Sequence, residues 1–449
     1  MTAPRKRAPN QALSALINEA GWTNGRLARA VNRLGPAARL DLSYDESAVS
    51  YWRSGTLPRR RVQPLVLEAL STALGRPVTS AAAGFSTTAS GPGGTPDNLV
   101  DLVKDDMDPS RRGMLAATLY SAALAVPGFS ELGDRMDSSA ITERAGRTVR
   151  IGAGEVTTVR TMTTRIADIL DELGAGHARP MAAAFLANTV MPWVNAEATS
   201  AVKAGMLAAA SDLVYLTGWM AMYEKAHGLG QQYYLQALQL AGDAGDQLTY
   251  CRTLRGMALQ ASNLGHGPKA LQLADSAAEA APAAGPRLTA FLRGQQAHGA
   301  AMVKDRRQAF AWLAETEAAL SKADGRNDAV GGYDQAAYFF HVSHVLAELG
   351  DLPGSIKAMQ QSNRSRPVNE RQGRLHANGV LATRQWQQGH VEAAAATWDR
   401  FLDDYEALST VRGDEHFATL RQHVRAKPAV RVVRQLGDRA GAVAQAKSV

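Results

Sequence analysis

Side chains able to do chemistry stand in four places along the chain. Ser47, Ser50, Tyr51 and Ser54 lie at i, i+3, i+4 and i+7, a polar stripe on one side of a helix. Hydroxyls carried on a single helix reach base edges in the major groove of DNA, although the short apolar helix of any small bundle carries a similar stripe. His341 and His344 stand three residues apart and could share a metal ion. The positions around them are Phe339, Phe340, Val342, Val345 and Leu346, which supply no third ligand, so the pair reads as core histidines. Cys251 lies beside Arg252 and Arg255, a setting that lowers a thiol pKa; a small buried residue is the plainer reading. Interface-type side chains gather in the second half: Trp219, Tyr223 and Tyr338, with Arg252, Arg255 and Asn263 placed on helix faces where they could grip a peptide backbone. No glycine-rich phosphate loop follows a strand, and no Ser-His-Asp or paired-carboxylate arrangement stands out. The chain reads as a non-enzyme with no cofactor and no metal.

The totals bound what these residues can belong to. At 449 residues, 45% hydrophobic and 20% charged, the chain reads as two or three globular domains. A single cysteine excludes an internal disulfide framework and fits a reducing, cytoplasmic setting. The net charge is +7, and residues 1–85 alone hold 12 basic against 5 acidic side chains. Residues 412–449 add 8 basic against 3 acidic, which leaves the middle of the chain acidic. A basic terminal module on a neutral-to-acidic body is the distribution of a nucleic-acid binder.

The elements that must position the stripe follow from the apolar spacing. Residues 1–9 read as a basic arm rather than a signal peptide. Leu13, Leu16, Ile17 and Ala20 share one face of a first helix, broken at Gly21. Thr23 or Asn24 caps a second, with Leu27, Ala30, Val31 and Leu34 inward. Asp45 caps the third, which anchors Val49 and Trp52 and stops at Gly55 and Pro58. A fourth begins near Pro64 and buries Val66, Ala69, Leu70, Ala73 and Leu74. Four short amphipathic helices make a small all-α domain over 1–85.

Leu27-Ala28 with Val31, then Val49-Ser50-x-Trp52-x-x-Gly55-x-x-Pro58, then Leu70-x-x-Ala73-Leu74-Gly75 resemble the Cro/repressor (XRE) type of helix-turn-helix over residues 10–80. Arg53 departs from it, standing where the family usually has Glu, and the connection before Asp45 is about ten residues longer than usual. The resemblance implies double-stranded DNA as partner, with Glu46, Ser47 and Tyr51 reading base edges and Ser50 beside them. It makes Asn24 a phosphate contact at the start of helix two, and it places Arg53, Arg59, Arg60 and Arg61 among the DNA-binding residues.

Residues 86–96 (STTASGPGGTP) read as a linker. Residues 97–154 read as a connecting helical segment that contains Ser110-Arg111-Arg112-Gly113-Met114-Leu115 and an apolar run to Pro127-Gly128. This stretch resembles a twin-arginine export signal. It stands behind residues 1–85 and is shorter than the ~20 apolar residues that span a bilayer. It reads instead as a packed helix, Arg112–Val126, with no membrane role.

From 155 to 430 the sequence is helical and periodic, and 431–449 reads as a basic, flexible tail. Turns at Gly228, Gly265, Lys304, Gly350 and Gly389 are spaced by 37, 39, 46 and 39 residues. Seven residues before them stand Ala221, Ala258, Ala297, Ser343 and Ala382, and five after them Tyr233, Ala270, Ala309, Ser355 and Ala394. Nine of these ten are small, as packed helix hairpins require where two helices touch. LGHGPKAL (264–271) and LGDLPGSI (349–356) resemble tetratricopeptide repeat turns. The expected fold is all-α, a helix-turn-helix domain followed by a tetratricopeptide-like α-solenoid whose concave face takes the ligand.

Most of the chain, including GWMAMYEKAHGLGQQYYLQALQLAGDAGD (218–246), resembles actinobacterial regulators that join a DNA-binding head to a tetratricopeptide body, some linked to development and antibiotic production. That resemblance implies a transcriptional regulator, dimeric on DNA, receiving a peptide, small-molecule or protein effector. The alternative is a tetratricopeptide adaptor whose N-terminal domain binds protein.

Overall fold

The computed structural model describes residues 9–35, 40–59, 62–74, 78, 82–85, 95–108, 120–122, 124, 126–133, 150–283, 285–323 and 333–447. Among these the protein is all-α: the sole β-type pairing is an isolated bridge between Arg150 and Glu197. Arg60, Arg61, Gly75 and the 110–115 stretch lie outside the described residues. The chain forms two compact units, Met1–Gly128 with Ala226–Gln231, and Phe129–Lys225 with Gln232–Val449.

In the first unit, α1 (Gln11–Glu19), α2 (Asn24–Leu34), α3 (Glu46–Arg53) and α4 (Gln63–Leu74) enclose one core, centred on Leu13, Ile17, Leu27, Val31, Val49, Trp52, Val66 and Leu70. The caps come from short polar side chains. Thr23 accepts from Arg26 N at the start of α2, and Asp45 accepts from Ala48 N at the start of α3. Asn10 caps α1 through Leu13 N at 2.9 Å, while its amide donates to Ala83 O at 2.9 Å. One side chain thus ties the beginning of the domain to residues 82–85, where Ala83 and Phe85 complete the core. A fifth helix, α5 (Thr95–Met107), belongs to the same unit.

The long connection into α3 is held in two ways. The Asn32 amide brackets Tyr44, donating to its carbonyl at 2.8 Å and accepting from its N–H at 2.9 Å. Leu40, Leu42 and Tyr44 lay their apolar sides on the core, and the Tyr44 ring meets Trp52 edge-on at 5.1 Å. The extra residues are therefore absorbed by packing, with α3 still in contact with α1 and α2.

The helix expected over Arg112–Val126 does not extend through its second half: residues 120–122, 124 and 126–128 are irregular. Gln231 holds this part in place, exchanging hydrogen bonds with the backbone of Ser121 at 2.9 and 2.8 Å. A paired backbone in a loop needs such a side-chain partner because no helix ladder supplies one.

The second unit begins with a short helical turn at Phe129–Gly133, then α6 (Ala153–Leu173) and α7 (Ala175–Phe185); a π-turn at Leu186–Val190 runs into a short helix at Met191–Val194. Next comes a row of helix pairs: α8 (Ser200–Tyr223) and α9 (His227–Ala244), α10 (Gln247–Asn263) and α11 (Gly267–Glu279), α12 (Pro286–Met302) and α13 (Arg306–Leu320). It continues with α14 (Gln335–Glu348) and α15 (Leu352–Ser365), α16 (Arg371–Gln387) and α17 (Val391–Tyr405), α18 (Val411–Ala426) and α19 (Arg431–Lys447). From α10 onward, each helix packs on its pair-mate, and α8, α10, α12 and α14 also pack in succession.

The aligned turns carry left-handed backbone at Gly265, Lys304, Gly350 and Gly389, with φ between 66° and 87°. In the first pair the left-handed residue is Lys225, φ 61°, while Gly228 lies inside α9. Moving that register by three replaces Ala221 and Tyr233 with Gly218 and Gly230, both buried. All ten repeat positions are then small, and the apparent exception, Tyr233, is a misaligned core residue. In the later pairs the small residues meet as required: Ser343 Oγ donates to Ser355 O at 2.7 Å across its hairpin.

The C-terminal segment is not a flexible tail. Val433, Leu436, Ala440 and Val443 recur on one face of α19 and are buried, in a cluster that includes Trp398, Phe401 and Leu402 of α17. Arg439 pairs with Asp399 and Asp403, and the Lys447 ammonium donates to the carbonyls of Tyr405 and Leu408. The basic residues sit on the outer side of an amphipathic helix, which a count of charges alone does not separate from a solvated tail.

Candidate functional site

On the first unit, α3 turns Val49 and Trp52 inward and leaves Glu46, Ser47, Ser50, Tyr51 and Ser54 exposed. Tyr51 is 66% exposed, unusual for a large aromatic ring with no core to cover it. Arg59, just past the helix, is also exposed. Gly55 ends the helix with φ 104°, a left-handed conformation that glycine adopts without strain. Arg53 and Asn24 are engaged with each other. The Arg53 guanidinium donates to Asn24 Oδ1 at 3.0 Å and to Ser14 Oγ at 3.2 Å, so this arginine fastens α3 to the starts of α1 and α2. Only the NH2 group of the Asn24 amide is left to reach outward.

The second unit holds a pocket of about 480 Å³. Its walls come from the first helix of successive pairs: Tyr215, Trp219 and Tyr223 on α8, Arg255 and Asn263 on α10, Phe291 on α12, Phe340 and His341 on α14, His376 on α16 and Arg412 on α18. The row of pairs curls until its ends meet around this space. Val411 N donates to Glu224 Oε1 at 3.4 Å, Lys225 pairs with Glu415 at 2.7 Å, and the Arg412 guanidinium covers the Tyr223 ring at 4.9 Å. One side is closed by α6, which packs on α8 and α16 and presents Asp168 and Asp171 to the pocket. The turn after α6 is tied down by Ser409, which bonds Leu173 O at 2.9 Å and receives Gly176 N at 3.0 Å.

Four of the six ligand residues expected from sequence line this pocket: Trp219, Tyr223, Arg255 and Asn263. The other two do not. Arg252 is held by Asp212 at 3.0 Å and lies over the Tyr215 ring, a structural ion pair. Tyr338 is buried beside Phe339, and burial with a neighbouring Glu317 pushes its phenol up to about 12. Cys251 is fully buried with its thiol against Leu248 O, and burial pushes it up to about 11, the opposite of an activated thiolate.

His341 and His344 have different neighbours. His341 Nδ1 shares a hydrogen with the Tyr333 hydroxyl at 2.8 Å, while the His344 ring packs at a tilt against Phe340 at 4.4 Å and His298 at 5.1 Å. A second pair, His376 and His416, touches through ring nitrogens at 2.9 Å. Burial holds these imidazoles neutral, with nearby arginines adding to the effect: His298 falls to about 4, His416 to about 3, and His341, His344 and His376 lie well below an exposed ring. Among the described residues no group of three His, Cys, Asp or Glu is placed to hold a metal ion.

Sequence reasoning missed Phe291, His376, Arg412 and the acids of α6. One signal was present once the register is right. Ten residues ahead of each left-handed turn stand Tyr215, Arg255, Gly294, Phe340 and Gly379. Three of these line the pocket. At the other two a Cβ would press on neighbours that take up the space, Tyr333 and His341 at Gly294, and His416 at Gly379.

Residues 13–86 match the family described as the SP15 N-terminal domain. The match spans the four-helix core up to the segment stapled by Asn10 and covers none of the second unit. No curated protein matches the chain. Among the described residues no helix is long and apolar enough to cross a membrane.

Proposed function

We propose that this protein is a non-enzymatic, cytoplasmic transcriptional regulator. Its first unit is a helix-turn-helix head that reads double-stranded DNA with α3. Its second unit is a tetratricopeptide-like body that receives an effector in the pocket, and the working form is a homodimer. The observation that carries the reading is α3 itself: a short helix capped at both ends, anchored by Val49 and Trp52, with Ser47, Ser50 and the Tyr51 ring exposed in one row. The excess positive charge of residues 1–85 supports it, since phosphate neutralisation supplies most of the affinity of such a small module. The internal bonds of Arg53 and Asn24 shift the phosphate-contact role toward Arg59 and the helix ends.

Two coupled half-sites raise affinity and set the reading helices about 34 Å apart, one turn of DNA. Fluorescence anisotropy on promoter DNA near the protein's own gene, at several salt concentrations, tests the proposal. The Ser47→Ala/Tyr51→Ala double variant should lose roughly ten-fold or more in specific affinity, as loss of base contacts worth about 1–3 kcal/mol implies, with its salt dependence unchanged. Wild-type affinity in that variant would remove α3 as the reading head. A stable protein complex together with no preference among DNA sequences would favour the adaptor alternative.

A further inference from the structure

The pocket contains a charge that has no counter-ion among the described residues. Arg255 is 8% exposed, its Nε has no hydrogen-bond partner, and among the described residues no carboxylate pairs with it. Its guanidinium rests instead on the Phe291 ring at 4.4 Å and near the Trp219 ring at 5.9 Å. Ring faces attract a cation but do not replace the hydrogen bonds water would have given it. A buried guanidinium cannot shed its charge, so it is ordinarily paired.

The other charged groups around the pocket are already committed or lie at its edge. Asp334 caps α14 through Ala337 N at 2.9 Å, and Glu370 is bonded to Arg366 at 3.2 Å. Asp168 is exposed on α6 and faces Arg165. The neighbouring buried imidazoles are neutral, so they offer no negative charge to Arg255 and no competing positive charge. Arg412, a second wall arginine with no acid partner among the described residues, lies over Tyr223. Arg255 and Arg412 thus face the pocket beside flat apolar walls, while of the four acids on its lining Asp334 and Glu370 are bonded elsewhere and Asp168 and Asp171 stand on α6; its volume lies in the range of small-molecule sites.

We infer that the pocket binds a small organic acid with a flat, apolar body, whose anionic group seats on Arg255 while its body lies between the rings of Trp219 and Phe291. This deepens the effector-receiving role proposed above and rests on it. The test uses no DNA, so failure of the DNA-reading proposal leaves it standing, and the reverse also holds.

The full-length protein is titrated with two fluorescent probes, the aromatic sulfonate 8-anilino-1-naphthalenesulfonate and its uncharged analogue N-phenyl-1-naphthylamine. The expected result is one saturable sulfonate site, reported by energy transfer from tryptophan that falls in a Trp219→Phe variant, with affinity at least ten-fold above that of the uncharged probe. Arg255→Met should lower sulfonate affinity ten-fold or more and leave the uncharged probe unchanged; Arg255→Lys should fall between. Without any probe, Arg255→Met should melt at or above the wild-type temperature, because replacing an unpaired buried charge by an apolar group of similar size is neutral or stabilising. Equal affinity for the two probes in the wild-type protein overturns the inference even if a variant fails to fold. So does a folded Arg255→Met protein that keeps its sulfonate affinity, or one that melts far lower, which would make Arg255 a structural residue.

Discussion

Arg53 shows how one side chain can change role without leaving its position. An acidic residue there would face Asn24 Oδ1 and the Ser14 hydroxyl with two acceptors of its own; the guanidinium donates to both and joins three helices. Because those donors are spent inside the domain, Arg53→Ala is expected to weaken the head by about 1 kcal/mol, the typical worth of a partly exposed hydrogen bond, and to leave the salt dependence of DNA binding unchanged. Hydrogen exchange of the α1–α3 amides measures the first quantity and anisotropy the second. A shallower salt dependence at unchanged stability would return Arg53 to the phosphate contacts.

At the scale of elements, the closure of the second unit depends on the turn between α6 and α7. Gly174 adopts φ 92°, and a Cβ there would press directly on the backbone of Ser409. Both the strained conformation and the lost approach penalise any other residue. Gly174→Ala is therefore expected to cost more than about 2 kcal/mol and to release α6 from the side of the pocket. Thermal melting combined with proteolysis within residues 153–185 would check it; a melting temperature within one degree or so of wild type would show that the tie to Ser409 is dispensable. Gly245 has φ 69° with open space around its missing Cβ, so strain without a backbone clash can be measured there as a control.

For the whole molecule, the buried histidines predict a specific response to acid. In the folded chain burial holds them neutral, His298 until about 4 and His416 until about 3, whereas an exposed ring titrates at 6.5. Their folded-state values are depressed, so the unfolded chain takes up protons first as the pH falls. Stability is whole above 6.5 and drains between 6.5 and about 4. Each such ring contributes a slope of up to about 1.4 kcal/mol per pH unit in that window. Urea unfolding at about pH 7.5 and about pH 5 should show a clear fall in midpoint for the second unit, with the four-helix head changing much less because its residues include no histidine before position 177. A midpoint that stays level or rises toward acid would contradict the neutral, buried assignment.

Much of this architecture is a consequence of local patterning. The caps Asp45 and Thr23, the Val49 and Trp52 anchor, and the recurrence of small residues around each turn are readable because helix periodicity and capping act within a few residues. The same rules bring the stripe on α3 to the surface, since burying one face of a short helix exposes the other. Sequence went astray where a distant partner decides the outcome. Lys225 rather than Gly228 turns the first pair, and the residues 431–447 form a packed helix because α17 offers them an apolar surface. The pocket is the extreme case. Asp212 claims Arg252, and no acid among the described residues claims Arg255, although the two stand one helical turn apart with the same side chain. Which of them faces Phe291 and Trp219 depends on the curl of the whole row of helices, a sum of packing angles that no single stretch of sequence carries.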